Sequence, residues 1–291
     1  MVCEKQDKQR GSITAILPSS WSGTNHLVLA LKTYFDGSES YAFAPRCHCL
    51  TLACLATTEV VWPQLESAWI KTCQERGNLN HFHMSEAMAL EGVFSDLLPE
   101  KRDFLVDGLT DVLGSFRNNS WLWSFTCTVD LEAHKRIARI KSLPSPARLC
   151  ARIVYPAMLD WYAHISKRNL ESVDLIFDRN EPFMRHLRAD WENKKFRKKH
   201  PAWEIVRSMV TAKMESTPGL QMTDMIAWAK NRLESGSSLE NDKFFGISLR
   251  AAKITNGLAG VVGEDWLLKN DLPEEGYETI NKQRKNRKSR P

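Results

Sequence analysis

Residues 173–178 read Val173-Asp174-Leu175-Ile176-Phe177-Asp178. The run is too short for a helix and almost continuously apolar. Strands of this kind are usually buried on both faces, as in a parallel pairing inside a sheet. This one ends on an aspartate, and the loop Arg179-Asn180-Glu181 follows before Pro182. Upstream, His26–Asp36 alternates. Leu27, Leu29, Leu31, Thr33 and Phe35 point one way, and Val28, Ala30, Lys32, Tyr34 and Asp36 the other. Gly37-Ser38-Glu39-Ser40 reads as a turn, and Tyr41–Phe43 and Cys47–Thr57 as two further strands in an antiparallel meander. Trp121–Val129 alternates again as a fourth strand, and Trp203–Val210 reads as another.

Helical spacing fills the gaps. Glu59–Arg76 places Val61, Leu65, Trp69 and Cys73 on one face, with Gly77 as its stop. Pro99 suits a first turn, and Leu105, Leu109, Val112 and Phe116 point inward after it. Arg148–Lys167 carries the stripe Cys150, Val154, Met158, Trp161 and Ile165. Pro182 opens a basic helix to about His200. Ser216-Thr217-Pro218 combines a hydroxyl cap with a proline and starts a helix to about Leu233. Parallel pairing, a meander and helices between them predict an α/β fold with a central mixed β-sheet flanked by helices. Residues 1–12 are expected to be a flexible N-terminus, 13–270 one domain, and 271–291 a basic C-terminal tail.

The chain has 291 residues with 40 Lys and Arg against 35 Asp and Glu, a net charge of +5. Six of those bases fall in the last ten residues: Lys282, Arg284, Lys285, Arg287, Lys288 and Arg290. Without them the chain carries 34 bases against 35 acids, so a uniformly basic nucleic-acid-binding body is excluded and a local patch is not. No apolar run approaches the ~18–20 residues of a membrane helix. The start lacks a signal-peptide core, and seven cysteines form an odd set; the expectation is a cytoplasmic protein with reduced thiols and no membrane partner.

Three carboxylates stand out by position. Asp36 ends the first strand, Asp178 ends the buried strand, and Asp224 sits in Leu220-Gln221-Met222-Thr223-Asp224-Met225-Ile226-Ala227. An aspartate on an apolar helix is costly to bury unless paired or metal-bound. Clustered carboxylates repel, and a divalent cation removes the penalty. Magnesium takes oxygen ligands. Two such ions can orient an attacking water and stabilise the leaving oxygen of a phosphodiester. A turn or helix-cap role is the competing reading for each.

Four segments together resemble the domain of unknown function 3800 family, whose members are similar to ribonuclease H-like enzymes. They are Tyr34-Phe35-Asp36-Gly37-Ser38-Glu39, His83-Met84-Ser85-Glu86, Leu175-Ile176-Phe177-Asp178 and Leu220-Gln221-Met222-Thr223-Asp224-Met225-Ile226-Ala227. The resemblance spans residues 27–233 and implies a ribonuclease H-like core and a metal-dependent phosphodiesterase. It implies Asp36, Asp178, Asp224 and Glu86 as ligands of Mg2+ or Mn2+. The family's glutamate after the first aspartate is Gly37 here, and Glu39 stands where glycine is usual. Either Glu39 substitutes, or one ligand is lost. Gly37 would still permit a turn carrying Ser38. Gln221, three residues before Asp224, could hydrogen-bond that carboxylate or a bound water. His83 is open to three readings: proton donor to the leaving oxygen, partner of Glu86, or surface histidine.

Two further signals compete. Cys47-His48-Cys49 with His81-Phe82-His83 invites a zinc reading, and half-buried core cysteines explain it as well. Residues 185–199 hold seven bases and two acids, among them Lys194, Lys195, Arg197, Lys198 and Lys199. These read as a solvated helix face or as a phosphate track, with Trp191, Phe196 and Trp203 near enough in sequence to stack bases. The expected function is a nuclease or phosphodiesterase hydrolysing nucleic acid by a two-metal mechanism, with no covalent enzyme intermediate. The alternatives are a noncatalytic nucleic-acid- or protein-binding module on the same fold, and an enzyme acting on a small phosphate.

Overall fold

A computed structural model describes residues 29–40, 46–118, 122–166, 170–179, 181–199, 201–236 and 256–270. The expected terminal segments 1–12 and 271–291 and the expected strand at Tyr41–Phe43 lie outside these residues.

Six strands form one sheet: β1 (Leu29–Glu39), β2 (Cys49–Thr58), β3 (Trp123–Asp130), β4 (Leu170–Asp178), β5 (Val206–Ala212) and β6 (Asn256–Val262). Their order is β5-β4-β1-β2-β3-β6. β2 pairs antiparallel with both β1 and β3, and the other three pairings are parallel. Five strands therefore run one way and β2 against them. This is the expected mixed sheet, with the buried strand β4 parallel between β1 and β5.

The alternation in the strands sorts two cores. Leu31 and Phe35 of β1 share a face with Val173, Leu175 and Phe177 of β4. That face is covered by α5 (Pro146–Ser166) and α6 (Pro182–Glu192), with α4 (Leu131–Ile137) and α9 (Glu264–Lys269) beside them. Tyr34, Leu55 and Ile176 face the other way, onto α1 (Trp62–Gly77), α2 (Met84–Ala89), α3 (Pro99–Asn118) and α8 (Pro218–Glu234). The predicted α1 stripe is buried through Leu65, Trp69 and Cys73. No helix among the described residues is long and apolar enough to cross a membrane.

Several local expectations are corrected. Gly37, Ser38 and Glu39 do not turn; they pair with Leu52, Thr51 and Leu50 and extend β1. The ladder with β2 outweighs the turn preference of a Gly-Ser pair. The basic helix breaks at Asn193, whose side-chain oxygen accepts the Lys195 N–H and starts a separate helix α7 (Lys194–Lys199). Asparagine competes with the helical backbone for such bonds. Residues Pro201–Ile205 form a 3-10 turn, so β5 begins at Val206. Thr217 precedes α8 without a side-chain cap; its carbonyl accepts from Leu220 and Gln221, and Pro218 sets the first turn. Helix α4 was not anticipated, although Asp130 caps it through the Glu132 and Ala133 N–H groups.

Candidate functional site

The sheet register builds the site first. Phe35 of β1 pairs with Phe177 of β4, so Asp36 and Asp178 follow on adjacent strands. Asp36 lies on the face of Tyr34, toward α8, and is only 5 % exposed. Helix α8 crosses this face and brings Asp224, itself 6 % exposed, from its second turn. The start of α2 closes the other side. The Met84 N–H donates to Asp224 Oδ2 at 2.7 Å. His83 stands between two acids, its Nδ1 3.2 Å from Glu86 Oε1 and its Nε2 4.0 Å from Asp224 Oδ2.

Burial and mutual repulsion act on the titration of these acids. The Asp36 carboxyl is pushed well above the usual carboxylate range, by burial first and then by the charges of Asp224, Glu181 and Asp178; the Gly37 N–H opposes the shift. Asp224 is also raised, chiefly by burial, with Glu86 and Asp178 adding to it; His83 and the Met84 N–H pull it down. The structure thus gathers Asp36, Asp178, Asp224, Glu86 and His83 from β1, β4, α8 and α2.

Glu181 is the member that sequence reasoning missed. It follows Asp178 by three residues, and its carboxylate oxygens lie beside Gly37, where a Cβ at that position would stand. Burial and the charge of Asp178 push it up to about 7. The available signal was its place, between a strand-end aspartate and a helix-opening proline.

Other expected site residues sit differently. Gln221 does not reach Asp224. Its Oε1 accepts from Trp69 Nε1 at 2.9 Å and the Phe82 N–H at 3.1 Å, and its Nε2 donates to the carbonyls of Met214 and Glu215. Glu39 is exposed and meets His48 Nε2 at 2.9 Å, and odd-numbered β1 positions face away from Asp36. Ser38 contributes its carbonyl, which accepts from Asn231 Nδ2; the same amide reaches the Cys49 carbonyl and Thr51 Oγ1. Asn231 thereby ties α8 to β1 and β2.

The zinc reading separates in space. Cys47 and Cys49 are in contact, Sγ to Sγ 2.8 Å, beside the Glu234 carbonyl. His83 lies beside Asp224, about ten residues of α8 or ~15 Å away. Burial raises both thiols. Among the described residues no three His, Cys, Asp or Glu side chains already converge as a metal shell.

The basic segment is divided as well. Asp190 is buried on α6, with Arg148 and Arg152 of α5 at 3.4–3.5 Å. Lys194, Lys195 and Lys198 are exposed and Arg197 is partly so, while the side chain of Lys199 lies outside the described residues. Trp203 is not open to stack a base: it is buried against Tyr155, ring centroids 3.9 Å apart. Trp191 packs on the core.

The chain matches no family model and no curated protein.

Proposed function

We propose that the chain is a divalent-metal-dependent phosphodiesterase, acting on nucleic acid, on a ribonuclease H-like fold. The observation that carries this reading is the gathering of Asp36, Asp178 and Asp224 from three separate elements into one largely buried neighbourhood. Such a set is unfavourable unless something positive joins it. Its donors are all carboxylate oxygens, which suit Mg2+ or Mn2+ and not a soft metal. The mixed sheet with β4 parallel to β1, and both carrying an aspartate toward α8, supports the fold assignment.

Asp36, Asp178 and Asp224 would hold the ions, with Glu86 at the α2 side. Bound there, divalent ions supply Lewis-acid activation of water and of the phosphoryl oxygens. The protein's own part is positional. The Met84 N–H fixes Asp224, and Glu86 orients His83 through Nδ1, leaving Nε2 toward the site. That imidazole can hold a proton for the leaving oxygen. The exposed bases of α7 supply a surface for a phosphate backbone.

The test is cleavage of single-stranded and duplex DNA and RNA with Mn2+. Wild type should cut at least one of these, and Asp36→Asn and Asp178→Asn should each fall to background. Cleavage that survives both substitutions overturns the mechanism. A noncatalytic nucleic-acid-binding module is the second reading, favoured by the lack of a preformed three-residue shell among the described residues. Salt-sensitive binding of nucleic acid with no Mn2+ heat in calorimetry would select it.

A further inference from the structure

We propose that Cys47 and Cys49 are a redox-sensitive dithiol, which closes to an intramolecular disulfide on oxidation and loosens the hold of the β2 start on the end of α8. This device needs no metal and no nucleic acid.

Three observations carry it. First, the two sulfurs are already together. Cys49 opens β2 and Cys47 precedes it by two residues, the spacing that puts side chains of an extended chain on one side. Their Sγ atoms are 2.8 Å apart, and both thiols are free. Alternate residues of an extended chain have Cα atoms about 6.6 Å apart. That is the upper end of the ~4.4–6.8 Å a disulfide spans. The bond can therefore close without rebuilding the strand, and a bridge at that limit is of the labile, reducible kind. Second, access is unequal. Among the described residues Cys47 is the one free cysteine that is not buried. A reagent in solvent meets Cys47, and Cys49, buried behind it, is placed as the resolving thiol. Third, the pair sits where the chain grips the C-terminal end of α8. The Cys47 thiol donates to the Glu234 carbonyl at 3.4 Å. The Arg46 and Cys47 N–H groups donate to the Ser235 carbonyl at 2.9 and 3.4 Å. Asn231 Nδ2 donates to the Cys49 carbonyl at 2.9 Å. Oxidation removes the sulfur-bound hydrogen, and the Cys47–Glu234 bond goes with it.

The oxidant is a low-molecular-weight disulfide, RSSR. The Cys47 thiolate attacks one of its sulfurs, the S–S bond breaks, and RS− leaves and takes up a proton. The Cys49 thiolate then attacks Cys47 Sγ, and the second RS− leaves in the same way. Two electrons pass from the cysteine pair to RSSR, and the two thiol protons end on two RSH. Burial raises both thiols, so the first attack is slow at neutral pH and quickens as pH rises.

The experiment incubates the 291-residue chain with graded ratios of glutathione and glutathione disulfide at about pH 8. Free thiols are then trapped with iodoacetamide in denaturant, and tryptic peptides are weighed. Peptide 47–71 holds Cys47, Cys49 and Cys54. From reduced wild type it should carry an alkyl group on each of these. After glutathione disulfide alone it should carry one, on Cys54, and no glutathione. Cys49→Ser should keep glutathione on Cys47, because the resolving thiol is gone. Cys47→Ser should keep Cys49 alkylated, because burial shields it from the oxidant. Oxidised wild type should melt lower than reduced, and the Cys47→Ser, Cys49→Ser double variant should melt alike in both conditions. Full alkylation of wild-type Cys47 and Cys49 under glutathione disulfide alone overturns the dithiol. So does glutathione retained on wild-type Cys47, or a bridge from Cys47 to any other cysteine; these readings need no variant to fold. Oxidised wild type that melts with the reduced protein overturns the coupling to α8.

Discussion

Gln221 shows how a residue can share the site's helix face and serve another purpose. It is 2 % exposed, and both ends of its amide are engaged by Trp69, Phe82, Met214 and Glu215. It links α8 to α1 and to the segment that enters α2, and so holds Asp224 and His83 at a fixed separation. Replacing it with leucine leaves two buried donors, Trp69 Nε1 and the Phe82 N–H, without an acceptor. At ~1–3 kcal/mol for each buried unsatisfied group, Gln221→Leu should lose about 2–6 kcal/mol in urea unfolding. A residue whose only role was to contact a bound water would show little change in that measurement. At this scale the sequence was legible for the aspartates, whose strand-end and apolar-helix settings are local. It was not legible for Gln221 or Glu181. Helical spacing put Gln221 on the face of Asp224, but its partners are chosen by α1 and Phe82. Glu181 gains its meaning only where the chain reversal after β4 lays it over Gly37, a contact no local pattern encodes.

Elements set the distances between these residues, and α8 docks closely on β1. A Cβ on Gly219 would lie 2.2–2.5 Å from the Tyr34 ring. That ring is held in place: its hydroxyl donates to Glu66 Oε1 at 2.9 Å, and it packs at right angles to the Trp62 ring with centroids 4.6 Å apart. Alanine would favour the helix by about 1 kcal/mol over glycine. Overpacking costs ~1–3 kcal/mol, and with a tethered aromatic in the way it outweighs the propensity gain. Gly219→Ala should therefore melt lower than wild type and bind Mn2+ more weakly, because α8 and Asp224 are pushed off β1. An unchanged melting temperature would refute the tight docking of α8. Helix α7 makes a separate prediction. A triple substitution of Lys194, Lys195 and Lys198 by glutamine should weaken nucleic-acid binding and flatten its salt dependence, leaving Mn2+ affinity unchanged. A salt slope equal to that of wild type would assign α7 to a plain solvated face. Elements with strong periodicity, such as α1, α3 and β4, were readable from the chain. The false turn at Gly37 and the unbroken basic helix were local preferences that a strand ladder and one asparagine cap overruled.

Across the whole molecule, the near balance of charge conceals a buried acidic set on one side of the sheet and exposed bases on α6 and α7. The acidic set makes stability depend on pH in an unusual direction. Asp36 and Asp224 are raised, and Glu181 is pushed up to about 7, burial being the first cause in each. In the unfolded chain such groups titrate near ~4. Between those values the native state holds more protons than the unfolded state, so stability falls as pH rises. The stabilising contribution is complete below about pH 4 and is lost as pH passes about 7 for Glu181. Asp174, lowered by its pairing with Arg207 and Ser208 in spite of burial, acts the other way, and its effect is confined to more acid conditions. Metal-free protein should therefore melt at a higher temperature at pH 5.5 than at pH 8, and Glu181→Gln should reduce that difference. Added Mn2+ should stabilise wild type far more at pH 8 than at pH 5.5, because the cation competes with the protons these carboxylates keep. Thermal unfolding followed by circular dichroism at the two pH values, with and without Mn2+, reads all of these. Equal melting temperatures at both pH values in metal-free wild type would show that the acidic set carries no stored repulsion, and would remove the physical reason for a cation there.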